Sequence, residues 1–347
     1  MKMKIFLLLV ISLFWSCSKK QIELGSNREI ISDRVSITKG ENNLELHSGN
    51  FTSTFKNSEL PLKRVVLLNS SLVGYFDQLG LENTIVGVSS PTYIYSSEIQ
   101  NLISKGTIAN VGNEQKYDIE KIISLKPDII FTNYISSYEN TYDVLKRSGI
   151  PIVFLDEYLE KTPLEKTRYL KIFGSLLGKS KEADSLSNAI ESSYNELKNL
   201  AKQGKKSAVM VNEMYGGMWF MAGGQSQTAK YIEDANANYI LQNDASNNSV
   251  SLSFEEVLIK SKNVPFWVNA GNYSSRKELL GINPNYSKIR AFRENNVYSV
   301  GKRQKAQAND FFEMGVVRSD LVLKDYIKIF HPELLPKDSL MFLQKLN

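Results

Sequence analysis

The chain is poor in the residues that make most metal and covalent chemistry. In 347 residues it has one cysteine and two histidines. A lone cysteine excludes an internal disulfide, and a zinc site needs three or four Cys, His or carboxylate ligands. His47 lies in a polar segment without a partner. His331 stands between Phe330 and Pro332 at the end of a helical pattern, where the helix dipole favours it and a structural role is expected. Asp310 and Glu313 are three apart but lack a histidine. No G-x-S-x-G occurs, so a nucleophile elbow is absent. Gly174 to Ser180 is one residue short of a phosphate-binding loop and lies inside a helical stretch rather than after a strand. Charge is nearly balanced, 42 basic against 37 acidic residues, or +5. With no basic block or aromatic-interleaved stripe, nucleic acid is not an expected partner. No catalytic constellation emerges, and the chain does not read as an enzyme.

What is present begins at the N-terminus. Lys2 and Lys4 precede an apolar run from Ile5 to Trp15, broken by Ser12 and followed by Ser16-Cys17. This is the pattern of a secretory leader, and the run is shorter than the roughly 20 residues that span a bilayer. The only cysteine falls where the mature chain would start. The segment resembles a bacterial lipoprotein signal: residues 1–16 are removed and Cys17 carries the lipid, with Phe14 and Trp15 in place of the leucine and small residue of the usual pattern. Loss of Lys2 and Lys4 lowers the net charge to about +3. Residues 17–45, rich in Ser, Lys, Asn and Glu, read as a tether.

From residue 46 to 161 strand and helix patterns alternate. Val65 to Leu68, Ile85 to Val88, Ile129 to Phe131 and Pro151 to Leu155 are strand-like, with helical spacing between them. Such alternation predicts an α/β lobe with a largely parallel sheet. Residues 162–203 carry no strand pattern. Thr162 and Glu165 form a capping box with Pro163 at the first helical position. Lys179 to Lys202 predicts a helix of about 36 Å, long enough to flank two lobes. Alternation resumes over 204–347, and helical segments are expected from about Val317 to Phe330 and again after Pro336. The halves echo each other. Asp118-Ile119-Glu120 before Ile129-Ile130-Phe131 matches, 135 residues on, Ser253-Phe254-Glu255 before Val264-Pro265-Phe266. Two duplicated α/β lobes joined by one long helix are the expected architecture.

Candidate ligand contacts are residues at or just after strand ends, because α/β sheets bind ligands outside the carboxyl ends of their strands. These are Asn69, Ser70, Tyr93, Tyr95, Tyr134, Tyr215, Trp219 and Phe311, with Arg303 and Arg318 as cations beside Phe311 and Phe312. Core filling is the competing explanation for each aromatic. The glycine pairs at 216–217 and 223–224 read equally as a plain hairpin or as turns admitting something bulky.

Taken together these segments resemble the iron-complex and vitamin B12 substrate-binding proteins of ABC importers. Arg64 to Asn69 looks like that family's opening strand and Ile85 to Val88 its second. Ile119-Glu120-Lys121-Ile122-Ile123-Ser124-Leu125-Lys126-Pro127-Asp128-Ile129-Ile130 is very close to its most recognisable segment. The resemblance spans about Arg64 to Phe330. It implies two α/β lobes joined by a single rigid helix, little closure on binding, and no resident cofactor. The cargo it implies is an iron chelate, haem or a corrinoid. It also implies an ABC permease with its ATPase as partner and a lipid-anchored place in the cell envelope. Glu120 and Glu255 correspond to the glutamates, one per lobe, that pair with arginines of the permease. First-turn glutamates also simply favour helix N-termini.

Overall fold

The computed structural model describes residues 27–347. The leader and Cys17 lie outside the described residues. The chain enters as an antiparallel meander of β1 (Arg28–Ile30), β2 (Val35–Lys39), β3 (Asn43–Ser48) and β4 (Phe51–Lys56), paired in that order. This corrects the tether reading from residue 28 onward, and the expected boundary at 45/46 falls inside β3. In β3, Leu44, Leu46 and Ser48 are buried while their neighbours face solvent. Ile31, Val35, Ile37, Leu44, Leu46 and Phe55 share one core with Phe173 and Leu176. Lys171 pins the meander to the lobe through Glu29 at 2.7 Å. The polar composition is the solvent face of strands too short for their alternation to stand out.

The first lobe contains β5 (Val65–Leu67), α1 (Val73–Leu79), β6 (Ile85–Val88), α2 (Ser97–Ser104) and β7 (Ala109–Asn110). A small hairpin of β8 (Gly112–Asn113) and β9 (Lys116–Tyr117) follows, then α3 (Ile119–Ser124), β10 (Ile129–Thr132), α4 (Glu139–Arg147) and β11 (Ile152–Phe154). The parallel sheet runs β11-β10-β5-β6-β7. Its central strands β5 and β10 are buried along their whole length, as strands covered on both faces must be. Strand order reverses between β5 and β10, so the crevice of this lobe opens at Asn69 and Asn133.

Helices α5 (Pro163–Arg168), α6 (Leu170–Leu177) and α7 (Ser180–Ala201) join the lobes. Thr162 and Glu165 form the expected capping box. Helix α7 packs on α6 at one end and on the last helix of the second lobe at the other. Its Ala183 and Ile190 are buried in the first lobe's core, Tyr194 and Ala201 in the second's. One stiff element therefore belongs to both cores, and rotating the lobes would expose apolar surface at either end.

The second lobe begins with β12 (Ala208–Val211), β13 (Met214–Tyr215), β14 (Met218–Ala222), α8 (Gln227–Asp234), β15 (Asn238–Tyr239), β16 (Ser249–Leu252), α9 (Phe254–Lys260) and β17 (Phe266–Val268). It continues with α10 (Arg276–Ile282), α11 (Arg290–Arg293), β18 (Tyr298–Ser299), the hairpin β19 (Gln304–Lys305) and β20 (Ala308–Asn309), α12 (Met314–Val317), α13 (Ser319–Phe330) and β21 (Gln344–Lys345). A parallel sheet β15-β12-β17 lies beside an antiparallel one, β13-β14-β16. Gly216 and Gly217, at φ of 58° and 86°, form the turn of the β13–β14 hairpin, the plainer reading of that glycine pair. After Pro336 the chain is extended rather than helical: β21 pairs with β18. The buried Asp325 carboxylate causes this by accepting N–H bonds from Met341, Phe342 and Leu343 at 2.6, 2.7 and 2.9 Å. His331 is buried, its Nε2 3.0 Å from the Ala235 carbonyl, and a Cβ on Gly204 would meet its Nδ1 at 2.2 Å.

Candidate functional site

A cavity of about 770 Å³ opens where the second lobe faces α5. Tyr215, Phe220, Tyr273, Phe311 and Phe312 give it aromatic walls, and Asn212, Asn269, Asn272 and Gln227 supply amides. A second cavity of about 420 Å³ shares Asn272 and Phe312 with it and extends to Ser70, Tyr93 and Glu114 of the first lobe. The two together form a cleft between the lobes. Asn212 and Asn269 follow β12 and β17 directly, and both adopt the left-handed conformation, at φ of 60° and 55°. Asparagine tolerates that conformation, and here it turns the chain outward at the carboxyl ends of paired strands. The Trp267 indole donates to the Asn212 carbonyl at 2.6 Å and the Tyr326 hydroxyl to Asn269 Oδ1 at 3.0 Å, fixing both turns.

The residues singled out from sequence divide sharply. Tyr215 is 81% exposed on the rim, Phe311 lines the larger cavity, and Ser70 and Tyr93 line the smaller. Trp219 is a correction: it has no exposed surface, packs 5.2 Å from Trp267, and donates its indole N–H to Val211. The alternation of β14 turns it inward while Met218 and Phe220 face out. Tyr134 is a second correction, for it packs among Phe51, Tyr142 and Phe154 and lines neither cavity. Asn69 is a third. It donates to Asn133, whose amide donates to Leu155 and Glu157, while Ser71 donates to Glu157 at 2.5 Å. Asn69 is thus engaged by the first lobe's own polar network.

The two arginines are also committed elsewhere. Arg318 grips Asp320 with two hydrogen bonds, at 2.9 and 2.8 Å. Arg303 pairs with Asp310 at 2.5 Å and lies over the Tyr95 ring at 5.2 Å, with Lys305 over the same ring at 4.2 Å. Neither arginine lines a cavity of the cleft, and Tyr95 serves as a platform for the β19–β20 hairpin rather than as a cleft wall. Glu313 completes this contact by accepting the Tyr95 and Ser96 N–H groups at 2.6 and 2.8 Å. The second lobe therefore clasps the first at a contact other than α7.

Two cleft residues were not foreseen, Lys166 and Glu213. Burial pushes the Lys166 ammonium pKa down, against a smaller opposing pull from Glu157 and Glu160. Burial pushes Glu213 up to about 7, partly countered by the Gly271 N–H. Sequence offered one weak signal, a glutamate next to an asparagine directly after a strand. Glu313 is likewise pushed up to about 7 by burial, with its two backbone N–H bonds pulling down and Asp310 and Asp77 adding repulsion. In the folded protein these two carboxyls keep their protons to about 7, whereas in the unfolded chain they release them near 4.3. Their contribution to stability is full below the unfolded value and is lost as pH rises through the folded one. Melting temperature should therefore fall as pH rises from about 4.5 to 7, each group costing at most ~3.7 kcal/mol. Glu213→Gln should flatten the slope, and a flat wild-type profile over that interval would refute the assignment.

Glu120 and Glu255 are exposed in the first turns of α3 and α9. Capping is done by others: Asp118 accepts the Lys121 N–H, and Ser253 exchanges bonds with Glu256. Among the described residues neither glutamate has a side-chain hydrogen bond or ion pair. Also among the described residues, no three His, Cys, Asp or Glu side chains gather at metal-binding distance. No described helix is long and apolar enough to cross a membrane.

A family model described as periplasmic binding protein matches residues 65–304. An uncharacterized lipoprotein of Methanocaldococcus jannaschii is 24% identical over 302 residues, covering 84% of this chain and 71% of that protein. Among solved structures, a periplasmic haem-binding protein from Pseudomonas aeruginosa aligns with a TM-score of 0.62 at 17% identity, over 82% of this chain and 98% of that one. A siderophore-binding protein from Vibrio cholerae, solved with Fe3+–Desferal bound, aligns at 0.57 and 16% identity, over 77% and 99%. The last two share the two-lobed fold.

Proposed function

The chain belongs to the periplasmic binding protein family, and on that premise we propose that it is the substrate-binding component of an ABC importer, holding a bulky metal chelate in the inter-lobe cleft. The observation that carries this reading is the aromatic cavity of about 770 Å³ between Tyr215, Phe220, Tyr273, Phe311 and Phe312. Planar rings flanked by a few amides suit a large, largely apolar ligand with scattered polar groups. The haem-binding and Fe3+–Desferal-bound neighbours carry cargo of that kind on the same fold. Because α7 is shared by both cores and Glu313 clasps the lobes, capture proceeds with little closure. Glu120 and Glu255 present the loaded protein to the permease, and the permease's ATPase supplies the energy. Cys17 anchors the mature chain in the envelope membrane, as the lipoprotein relative suggests.

Within this class an iron complex and a corrinoid compete, and the engagement of Arg303 and Arg318 by aspartates favours the less anionic cargo, the corrinoid. Mature protein should be titrated with haemin, a ferric trihydroxamate, a ferric tricatecholate and cyanocobalamin. Trp219 and Trp267, both fully buried, and Trp267 one hydrogen bond behind the cleft, report by fluorescence quenching. Micromolar or tighter binding of at least one probe without turnover is expected. Binding of none would overturn the chelate assignment, and product formation would favour an envelope enzyme using the same cleft.

A further inference from the structure

The larger cavity of the cleft is lined by two ionisable side chains, Lys166 and Glu213, and among the described residues neither forms an ion pair. Lys166 projects from α5, the short helix that touches α7, α8, α12 and α13 at the junction of the lobes. Among the described residues its ammonium has no hydrogen bond and no ion pair. The acidic groups that influence it are occupied by neutral donors. Glu160 accepts from Ser32 and Tyr169 at 2.8 and 2.7 Å, and Glu157 accepts from Ser71 and Asn133. Glu213 follows β12 on the opposite wall and lies over Gly271, where a Cβ would meet its Oε1 at 2.8 Å. The nearby Gly271 N–H favours its charged form, and among the described residues it too makes no ion pair.

A half-buried charge without a partner is costly, and a ligand that pairs with it recovers that cost. The larger cavity has two such groups, of opposite type, in a wall of aromatic rings, amides and valines. We propose that Lys166 and Glu213 are the specificity determinants of the cleft, Lys166 pairing with one anionic group of the cargo and Glu213 accepting N–H or O–H donors from it. Resting on the chelate reading above, this names the cargo's charge class: near-neutral overall, with a single phosphate-like or carboxylate-like group and several hydrogen-bond donors. A polyanionic chelate would satisfy Lys166 but meet Glu213, half ionised near pH 7 and fully so above it, as a like charge, with Arg303 and Arg318 already taken. Lys166 is then held uncompensated in the empty protein for the sake of binding, so its removal separates affinity from stability.

The test uses four probes on wild type, Lys166→Met and Glu213→Gln. Cyanocobalamin is neutral overall and carries a phosphodiester and carboxamides; dicyanocobinamide keeps the carboxamides and lacks the phosphodiester. A ferric trihydroxamate and a trianionic ferric tricatecholate extend the charge range. Lys166→Met should weaken the tightest near-neutral, anion-bearing probe at least ~10-fold, as loss of a charge-assisted hydrogen bond implies, and should shrink the preference for cyanocobalamin over dicyanocobinamide. Its melting temperature without ligand should equal or exceed that of wild type. Glu213→Gln should weaken donor-bearing probes ~5-fold and strengthen binding of the tricatecholate. Variants that bind every probe as wild type does, or a wild type that prefers the tricatecholate, would overturn the proposal while leaving the chelate reading intact. A wild type that binds no probe overturns both. Should Lys166→Met fail to fold, Lys166→Gln carries the affinity test with the same expected and overturning results.

Discussion

Replacing Glu120 and Glu255 together with alanine should cut ligand uptake by at least ~10-fold, each lost charge pair being worth roughly 1.4 kcal/mol or more. Affinity of the isolated protein for its ligand should not change. The expectation rests on an accounting of partners. Both glutamates are exposed, and the capping that first-turn acids often perform is done by Asp118 on α3 and by Ser253 with Glu256 on α9. Two negative charges therefore stand free at equivalent positions of the two lobes, each just before a strand paired to its lobe's first, β10 with β5 and β17 with β12. Charged pairs orient a transient complex and speed its formation without a large apolar patch. Uptake into vesicles bearing the permease, measured beside an equilibrium titration, separates the possibilities. Undiminished uptake by the double variant, or a fall in affinity, would remove the docking role. Each single variant should lose less than the pair, and the losses should shrink at high salt if exposed charge is the cause.

The second large effect is expected at Gly74, in the first turn of α1. A Cβ there would lie 2.3 Å from the Glu313 carbonyl oxygen and 2.7 Å from its carbonyl carbon. Both are backbone atoms, so no rotamer change relieves the clash and α12 must move away from α1. Gly74→Val should destabilise by about 3 kcal/mol, as overpacking of a tight contact does, lowering the melting temperature by ~5–10 °C. The shift would also displace Phe311 and Phe312, which precede Glu313, so ligand affinity should fall with stability. Gly281→Ala is the control: it lies in α10 with nothing within 4 Å of its Cβ position and should be neutral or stabilising by ~0.5–1 kcal/mol. If Gly74→Val matches this control, the lobes are not held by the Glu313 contact.

Elements whose pattern is local were legible in the sequence. Strands β5, β6, β10 and β11 are apolar runs bounded by helical spacing, and α7 is an uninterrupted helical pattern between the left-handed Gly178 and the end of Ala201. The Thr162–Glu165 capping box needs four residues and was readable as such. The meander β1 to β4 was not, because its strands bury only alternate residues and present Ser, Thr, Asn, Lys and Glu to water. In the cleft, Tyr215, Phe311, Ser70 and Tyr93 were legible as residues at or just after strand ends, while Trp219 was misplaced by a single step in β14's alternation. Arg303 and Arg318 show a different failure, since their types suggested an anion site and only their aspartate neighbours say otherwise.

By itself the sequence determined the α/β alternation, the two lobes, the long connecting helix and the family, because each is written in periodicity or in a short contiguous segment. Tertiary structure alone decided which charges remain available to a ligand. Tyr95 and Ser96 meet Glu313 across more than 200 residues of chain, Asn69 meets Asn133 across the sheet, and these contacts consume groups that looked free. Among the described residues no charged side chain pairs with Lys166 or Glu213, which line the larger cavity. Whether a polar side chain is spent on the fold or kept for a ligand depends on its neighbours in space, and spacing along the chain does not encode them.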